Sequence, residues 1–264
     1  MAVPVITING QKGGIGKTTI TGTCAAGLAL RGFRVLAVDA DPQSHLTISL
    51  GIRPEPGIYQ VLVRNDDILD YLREPAPEVY QIAGQPCTGR LYVLPSNEES
   101  AAIPALVTDV RLRKEHLALL DGAIDVVVID TPPTPGLLMA VIHEATNYVL
   151  VPTELERLSL ESLLTTINDL RKYQVDLMAI VPTFADMRRA IHHHNLKWLV
   201  KTGCEQKWPL FMPLGDRNLW KDASQAGRMV WTMHAVSKSD RAAIAEALRL
   251  VEQVEGVIRA KVQG

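Results

Sequence analysis

The nine residues from Gln11 to Thr19, QKGGIGKTT, restrict the possible folds of this chain more than any other stretch. They stand between a short β-rich run, VPVITING, and a helical run, KTTITGTCAAGLAL, from Lys17 to Leu30. Glycines at 13, 14 and 16 let backbone N–H groups turn inward and approach an anion. The N-terminus of the following helix adds the positive end of its dipole. The phosphate-loop spacing G-x-x-x-x-G-K-[ST] is met from Gly10 only if Gln11 is skipped. The pattern therefore rests on GGIGKTT and on its flanking strand and helix, which speak against a glycine turn with a chance Lys-Thr. In such a loop Gly13, Gly14, Ile15, Gly16, Lys17, Thr18 and Thr19 form the cradle. Lys17 reaches the β- and γ-phosphates, and the Thr18 hydroxyl ligates Mg²⁺. A second lysine, Lys12, has no place in this scheme.

Downstream, Gly32 gives the helix a natural stop. RVLAVDAD is almost continuously apolar and reads as a strand buried on both faces. Strand, loop, helix and strand open a parallel doubly wound sheet. Residues 53–90 are Pro-rich, with a helix expected near Asp67–Arg73. LYVLPSN (91–97) reads as a strand, followed by a helical stretch to about Leu120. IDVVVIDTPP reads as a central buried strand. NYVLVPT and VDLMAIVPT repeat the strand-then-Pro-Thr design, with a helix over about 158–173 between them. Helices near 190–203 and 217–227 flank a short strand, PLFMPL, and a last helix runs from about Ser239 to Val262. No Gly/Pro/Ser-rich break or internal repeat divides the chain. The expectation is one α/β domain over 1–264: a doubly wound, mostly parallel sheet with helices on both faces. With 264 residues, 47% hydrophobic and 21% charged, a sizeable core is expected.

Asp130 ends the strand VVVID, where a carboxylate can hold the Mg²⁺ shell, usually through water. A strand-end acid capping the next turn is the plainer alternative. Asp39 and Asp41, in DADPQ, are costly at a strand end unless a cation is near or one of them faces solvent. One of them could orient an attacking water. The three cysteines, Cys24, Cys87 and Cys204, form no C-x-x-C pair or metal pattern, which fits a reduced, cytosolic protein. The start MAVPVITI lacks a basic leader, and no apolar run reaches transmembrane length.

Charge is unevenly spread. Residues 1–183 hold 14 Lys/Arg against 21 Asp/Glu, whereas residues 184–241 hold 10 against 5, with four histidines. Such asymmetry suits either a polyanion-facing surface or an uneven solvated one. His192–His194 cannot share one helical face and reads as a solvated helix start rather than a metal site. Arg188 and Arg189 sit in a loop after a strand, free to contact nucleotide, a partner, DNA or solvent. Trp198, Trp208, Trp220 and Trp231 default to core packing. Ile244, Ala247, Leu248, Val251, Val254 and Ile258 line one stripe of the last helix. That helix has balanced charges and is expected to dock on its own sheet, not on a membrane.

KGGIGKTT, VLAVDADPQ and DVVVIDTPP, in this order and spacing, resemble the ParA/MinD family of deviant Walker-type P-loop ATPases. LVPTELERLSLESL and VPTFADMR resemble its ParA branch. The resemblance covers nearly the whole chain. It implies ATP and Mg²⁺ as cofactors and an ATP-bound homodimer. Lys12 corresponds to the signature lysine, sent by each subunit to the other's nucleotide as a cation in trans. Asp41 corresponds to the acid that positions water and Asp130 to the Walker B acid. Thr183, Met212 and Pro213 fall where the family lines adenine. DPQSHLT departs from the commoner D-P-Q-G-N-x-T, so the mobility of this loop is expected to differ.

The resemblance also implies nonspecific DNA binding by the dimer through the basic segment. Lys197, Lys201, Arg217, Lys221, Arg228, Lys238 and Arg241 are the candidates. It further implies a ParB-like or cargo-adaptor protein that triggers otherwise slow hydrolysis, and a cytoplasmic, nucleoid-associated location. With no DNA-reading segment ahead of the loop, operator autoregulation is not expected. Three rivals share related folds. A MinD-like membrane positioner needs a basic amphipathic tail, and a nitrogenase-type iron protein needs paired cluster cysteines. A metabolic ligase or synthetase needs a substrate motif.

Overall fold

Val5–Ile8 (β1) is apolar throughout because it lies in the middle of a parallel sheet and is buried on both faces. The structure, a computed structural model, describes residues 3–106, 120–133, 136–173 and 175–262. In chain order β1 is followed by α1 (Lys17–Leu30), β2 (Arg34–Asp39), α2 (His45–Ser49), α3 (Pro77–Tyr80) and β3 (Arg90–Leu94). Next come α4 (Ile103–Leu106), β4 (Val126–Asp130), α5 (Leu137–Ala145), β5 (Tyr148–Glu154) and α6 (Arg157–Tyr173). Then follow β6 (Asp176–Thr183), α7 (Ala190–Gln206), α8 (Asn218–Gln225) and α9 (Lys238–Val262). The strands pair in the order β3-β2-β4-β1-β5-β6, and every pairing between them is parallel.

Side chains alternate across the sheet with period 2. Ile6, Ile8, Val35, Ala37, Val126 and Val128 enter the core shared with α1 and α9. Val5, Leu36, Val38, Val127 and Ile129 enter the core on the other face with Leu138, Val141 and Ile142 of α5. A third cluster joins β5 and β6 to Leu160, Leu163, Ile167 and Leu170 of α6. Helix α1 is buried almost all round, which its Gly, Ala and Thr residues permit. At Gly27 it meets α9 so closely that a β-carbon would lie 2.1 Å from Val251 Cγ2. The apolar stripe of α9 therefore packs closely on α1, with Ala247, Val251 and Val254 buried, within the core that both helices share with the sheet.

Two expectations change, and a third lies outside the described residues. The strand expected at PLFMPL is reduced to an edge pairing, in which Ile180 N donates to Pro209 O at 2.8 Å and Phe211 N donates to Ile180 O at 3.0 Å. Pro209 and Pro213 lack the N–H groups that a longer ladder needs. The helix expected near Asp67–Arg73 is a short 3₁₀ turn, Ile68–Tyr71, because Arg73 instead pairs antiparallel with Val93 of β3. The helical stretch expected to reach Leu120 falls largely on residues 107–119, outside the described residues.

Register fixes the site. Ile8 and Asp39 both lie opposite Asp130, so the loops leaving β1, β2 and β4 meet at one edge of the sheet. This is the carboxyl edge of the strands, where open α/β sheets bind ligands.

Candidate functional site

The loop after β1 curves over a basin of about 550 Å³. Gly13, Gly14, Gly16, Lys17, Thr18 and Thr19 line one side, and Asp41, Pro42, Pro133 and Phe184 the other. Gly16 caps α1 at φ 90°, a left-handed conformation that suits glycine. The first N–H groups of α1 have no partners within the helix, and its positive end faces the basin. Ile15 does not line the basin. Its side chain is buried so close to Gly10 that a β-carbon there would meet Ile15 Cδ1 at 2.5 Å. Its carbonyl accepts a 2.9 Å hydrogen bond from Thr183 Oγ1, which braces the loop from behind.

Lys17 is buried, and its Nζ donates to Lys12 O at 3.3 Å. Burial lowers its pKa, against the opposing pull of Asp130 and then Asp41. Asp130 is fully buried and accepts from Thr18 Oγ1 at 2.7 Å and Thr21 Oγ1 at 3.0 Å. Burial first, and neighbouring Asp39 second, push its carboxyl up to about 7. Asp39 is also fully buried, and burial raises it to about 6. It accepts from Thr47 N at 2.8 Å and Thr47 Oγ1 at 2.7 Å, so it fastens α2 to the end of β2. Two buried carboxyls side by side, with threonine hydroxyls on both, form an all-oxygen donor set that suits Mg²⁺. Among the described residues no three His, Cys, Asp or Glu gather to hold a metal unaided. That fits an ion that keeps water and phosphate in its shell.

Asp41 lines the basin half-buried, and its Oδ1 accepts from Gln43 N at 3.0 Å. The next residues are anchored. Ser44 is left-handed at φ 56°, and its hydroxyl donates to Ser96 O at 2.9 Å. Ser96 Oγ donates to Asp41 O at 2.7 Å.

Lys12 turns away from the basin. Its Nζ lies 2.5 Å from Glu154 Oε2, at the end of β5, and 2.8 Å from Ser159 Oγ in the first turn of α6. Gln11 Nε2 donates to Asp169 Oδ2, near the far end of α6, at 2.8 Å. The arm leading into the loop is thus laid along α6 at two points.

Of the expected base-pocket residues, Thr183 walls a narrow slit beside the basin, together with Phe184, Leu214, Gly215 and Trp220. Met212 and Pro213 are not among its walls, and Met212 is exposed. The basic candidates separate into two kinds. Arg217 is held by Glu246 through bonds of 2.5 and 3.1 Å and is three-quarters buried, so its charge is already matched. Lys197 and Lys201 on α7, Lys221 on α8, Arg228 after it, and Lys238 and Arg241 at the start of α9 are exposed. Lys201 lies 3.9 Å from Glu205.

His192 is buried rather than solvated: Asp186 N donates to its Nδ1 at 3.0 Å, and its Nε2 lies 3.0 Å from Glu156. His193 and His194 are exposed, as expected of a helix start. Arg188 pairs with Asp186 and Arg189 with Glu156. Trp198 departs from core packing and is 37% exposed, whereas Trp220 and Trp231 are buried. Glu154, Ser159 and Phe184 lie inside the stretches LVPTELERLSLESL and VPTFADMR, which give them no role, and Trp220 reads from the sequence as core. Glu154, Ser159 and Phe184 join the site through the order of strands in the sheet, and Trp220 through the packing of α8 beside α1.

Comparison with known proteins gives a consistent picture. The AAA domain family AAA_31 matches residues 3–180. The sporulation initiation inhibitor protein Soj of Bacillus subtilis is 35% identical over 193 residues, spanning 70% of this chain and 74% of that protein. The chromosome-partitioning ATPase Soj of Thermus thermophilus is 33% identical over 189 residues, spanning 69% and 70%. Among solved structures, the cell division ATPase MinD of Pyrococcus furiosus superposes with a TM-score of 0.74 at 23% identity, covering 97% of this chain and all of the other, a likeness of fold. Cobyrinic acid a,c-diamide synthase from Mycobacterium smegmatis, with ADP and magnesium bound, gives a TM-score of 0.68 at 28% identity, covering 87% and 91%.

Proposed function

This chain belongs to the ParA/MinD-type partition ATPases, and from that premise we propose that it is an ATP-switched dimer that holds nonspecific DNA and moves or positions a cargo. Lys17, the loop amides and Thr18 grip the triphosphate. Mg²⁺, when bound, neutralises phosphate charge beside Thr18 and Asp130. Asp41 orients water toward the γ-phosphate. Lys12 leaves Glu154 and reaches the nucleotide of the opposite subunit, adding a cation where charge develops in the transition state. Loss of the γ-phosphate removes that attraction, and the dimer parts. A ParB-like or adaptor protein sets the timing.

The observation that carries this reading is the placement of Lys12: outside its own basin, beside it, on a carboxylate it can leave. The exposed lysines and arginines of α7, α8 and α9 supply the phosphate contacts. Doubling them in a dimer favours DNA binding only with ATP. Each phosphate neutralised adds about −0.9 to the slope of log affinity against log salt. Sequence matters little, because phosphate contacts carry no base information. The likeness to a diamide synthase favours one second reading, a small-molecule ligase on the same loop. The apolar face of α9 is used up against α1, which disfavours that helix as a membrane anchor. Among the described residues no helix is long and apolar enough to cross a membrane. The test is DNA retention at one fixed salt concentration with ATP and with ADP. Strong retention with ATP and almost none with ADP is expected. Equal retention in both states would end the switch reading, and an ATP-dependent amide product would move the assignment to the ligase.

A further inference from the structure

Two spaces leave the phosphate basin past Thr19, and Trp220 is the wall between them. The first is the slit between Phe184 and Trp220, only about 10 Å³, barely room for one water. The second is a chamber of about 330 Å³ between α1, α2 and α8, bounded by Gly22, Thr23, Ser49, Ser224 and Met229. Both walls of the slit carry a local cost. Phe184 is left-handed at φ 50°, an uncommon backbone for an aromatic residue. Trp220 is 5% exposed, and its indole N–H has no hydrogen-bond partner, a cost that movement can relieve. The chamber behind it offers the hydroxyls of Thr23, Ser49 and Ser224. Ser49 Oγ donates to Leu46 O, which leaves its lone pairs open to accept.

We infer that Trp220 is the gate for the nucleoside half of the nucleotide: when a base arrives, the indole withdraws from the slit into the chamber, and the base takes its place against Phe184. The inference rests on the nucleotide-binding reading of the loop and deepens it. As it stands the slit is far too small for a purine, whereas the chamber is larger than an indole. Trp220 is followed by Lys221, and Arg228 borders the chamber, so the same movement reports base occupancy to the basic surface.

Inorganic tripolyphosphate separates the gate from the loop, because it fills the phosphate basin and carries no base. The difference in fluorescence between the wild type and Trp220→Phe isolates Trp220 from the other three tryptophans. With Mg²⁺ present, that difference signal should shift with ATP and with ADP and stay still with tripolyphosphate. A second arm blocks the chamber from its exposed side with Ser224→Phe. ATP affinity by calorimetry should fall on the order of tenfold or more, as overpacking costs of this kind do. Tripolyphosphate affinity should not change. Adding Trp220→Ala should restore ATP affinity, since no indole then has to move. ATP that binds while the Trp220 signal stays still overturns the gate and leaves the ATPase reading intact. Equal weakening of ATP and tripolyphosphate by Ser224→Phe also overturns it. A wild-type protein that binds neither ligand removes both readings. If Ser224→Phe fails to fold, the fluorescence arm decides alone.

Discussion

Glu154→Gln should tighten the ATP-bound dimer. In the free subunit Lys12 and Glu154 form an ion pair with side chains 36% and 25% exposed, supported by Ser159. At that exposure solvent screening limits the pair to about 1 kcal/mol. Glutamine keeps a hydrogen-bond acceptor for the ammonium, so the substitution removes mainly this Coulomb part. If Lys12 must leave Glu154 to serve the opposite nucleotide, each dimer releases two such pairs. The restraint on dimerisation is then about 2 kcal/mol, and removing it should strengthen the dimer roughly 30-fold. The measurement is sedimentation velocity with ATP and Mg²⁺ in an Asp41→Ala background, where hydrolysis does not dissolve the dimer. Because the pair is partly exposed, the gain should shrink as salt rises. A dimer constant within twofold of the parent would mean that Glu154 does not restrain Lys12. A weaker dimer would mean that Glu154 works inside the dimer, and the trans-lysine account would need another trigger.

Asp41→Ala should bind ATP, dimerise and remain on DNA without turning over; phosphate release at the wild-type rate would shift the water-positioning role to Asp39. Asp130→Asn should melt higher than the wild type in EDTA at pH 8, with the gap narrowing as pH falls below about 7 and closed by about pH 4. The sign follows from its folded pKa of about 7, above the ordinary carboxylate range. The neutral carboxyl stabilises the metal-free fold fully below about pH 4, and that contribution is lost as pH rises through about 7. A gap independent of pH would refute the assignment. Charge reversal at Lys221 or Arg228 should lower DNA affinity and reduce the salt slope by about 1 or more, with ATP-driven dimerisation unchanged. A variant with the wild-type salt slope would place the DNA surface elsewhere.

The parts of the site that could be read in the sequence are those set by local chemistry. Gly16 and Gly32 bracket α1, and the helix runs from Lys17 to Leu30 as its composition suggests. The apolar runs of β2 and β4 place Asp39 and Asp130 at strand ends, and the sheet register sets them side by side. What could not be read depends on pairing across the sheet. Lys12 meets Glu154 142 residues away only because β1 lies beside β5. Arg217 looked free for DNA until α9 brought Glu246 against it. His192 looked solvated until β5 and α6 placed Glu156 beside it. The serine in DPQSH shows both sides at once. Its departure from the commoner glycine is visible in the sequence, and the left-handed backbone at Ser44 explains why glycine would suit that position. A non-glycine residue there is strained by about 1–2 kcal/mol. The compensation lies 52 residues away: Ser44 Oγ donates to Ser96 O, and Ser96 Oγ donates to Asp41 O. Glycine would leave this turn free to move. The two serines instead tie the segment carrying Asp41, the acid proposed to position water, to the end of β3, so in this chain Asp41 starts from a held position.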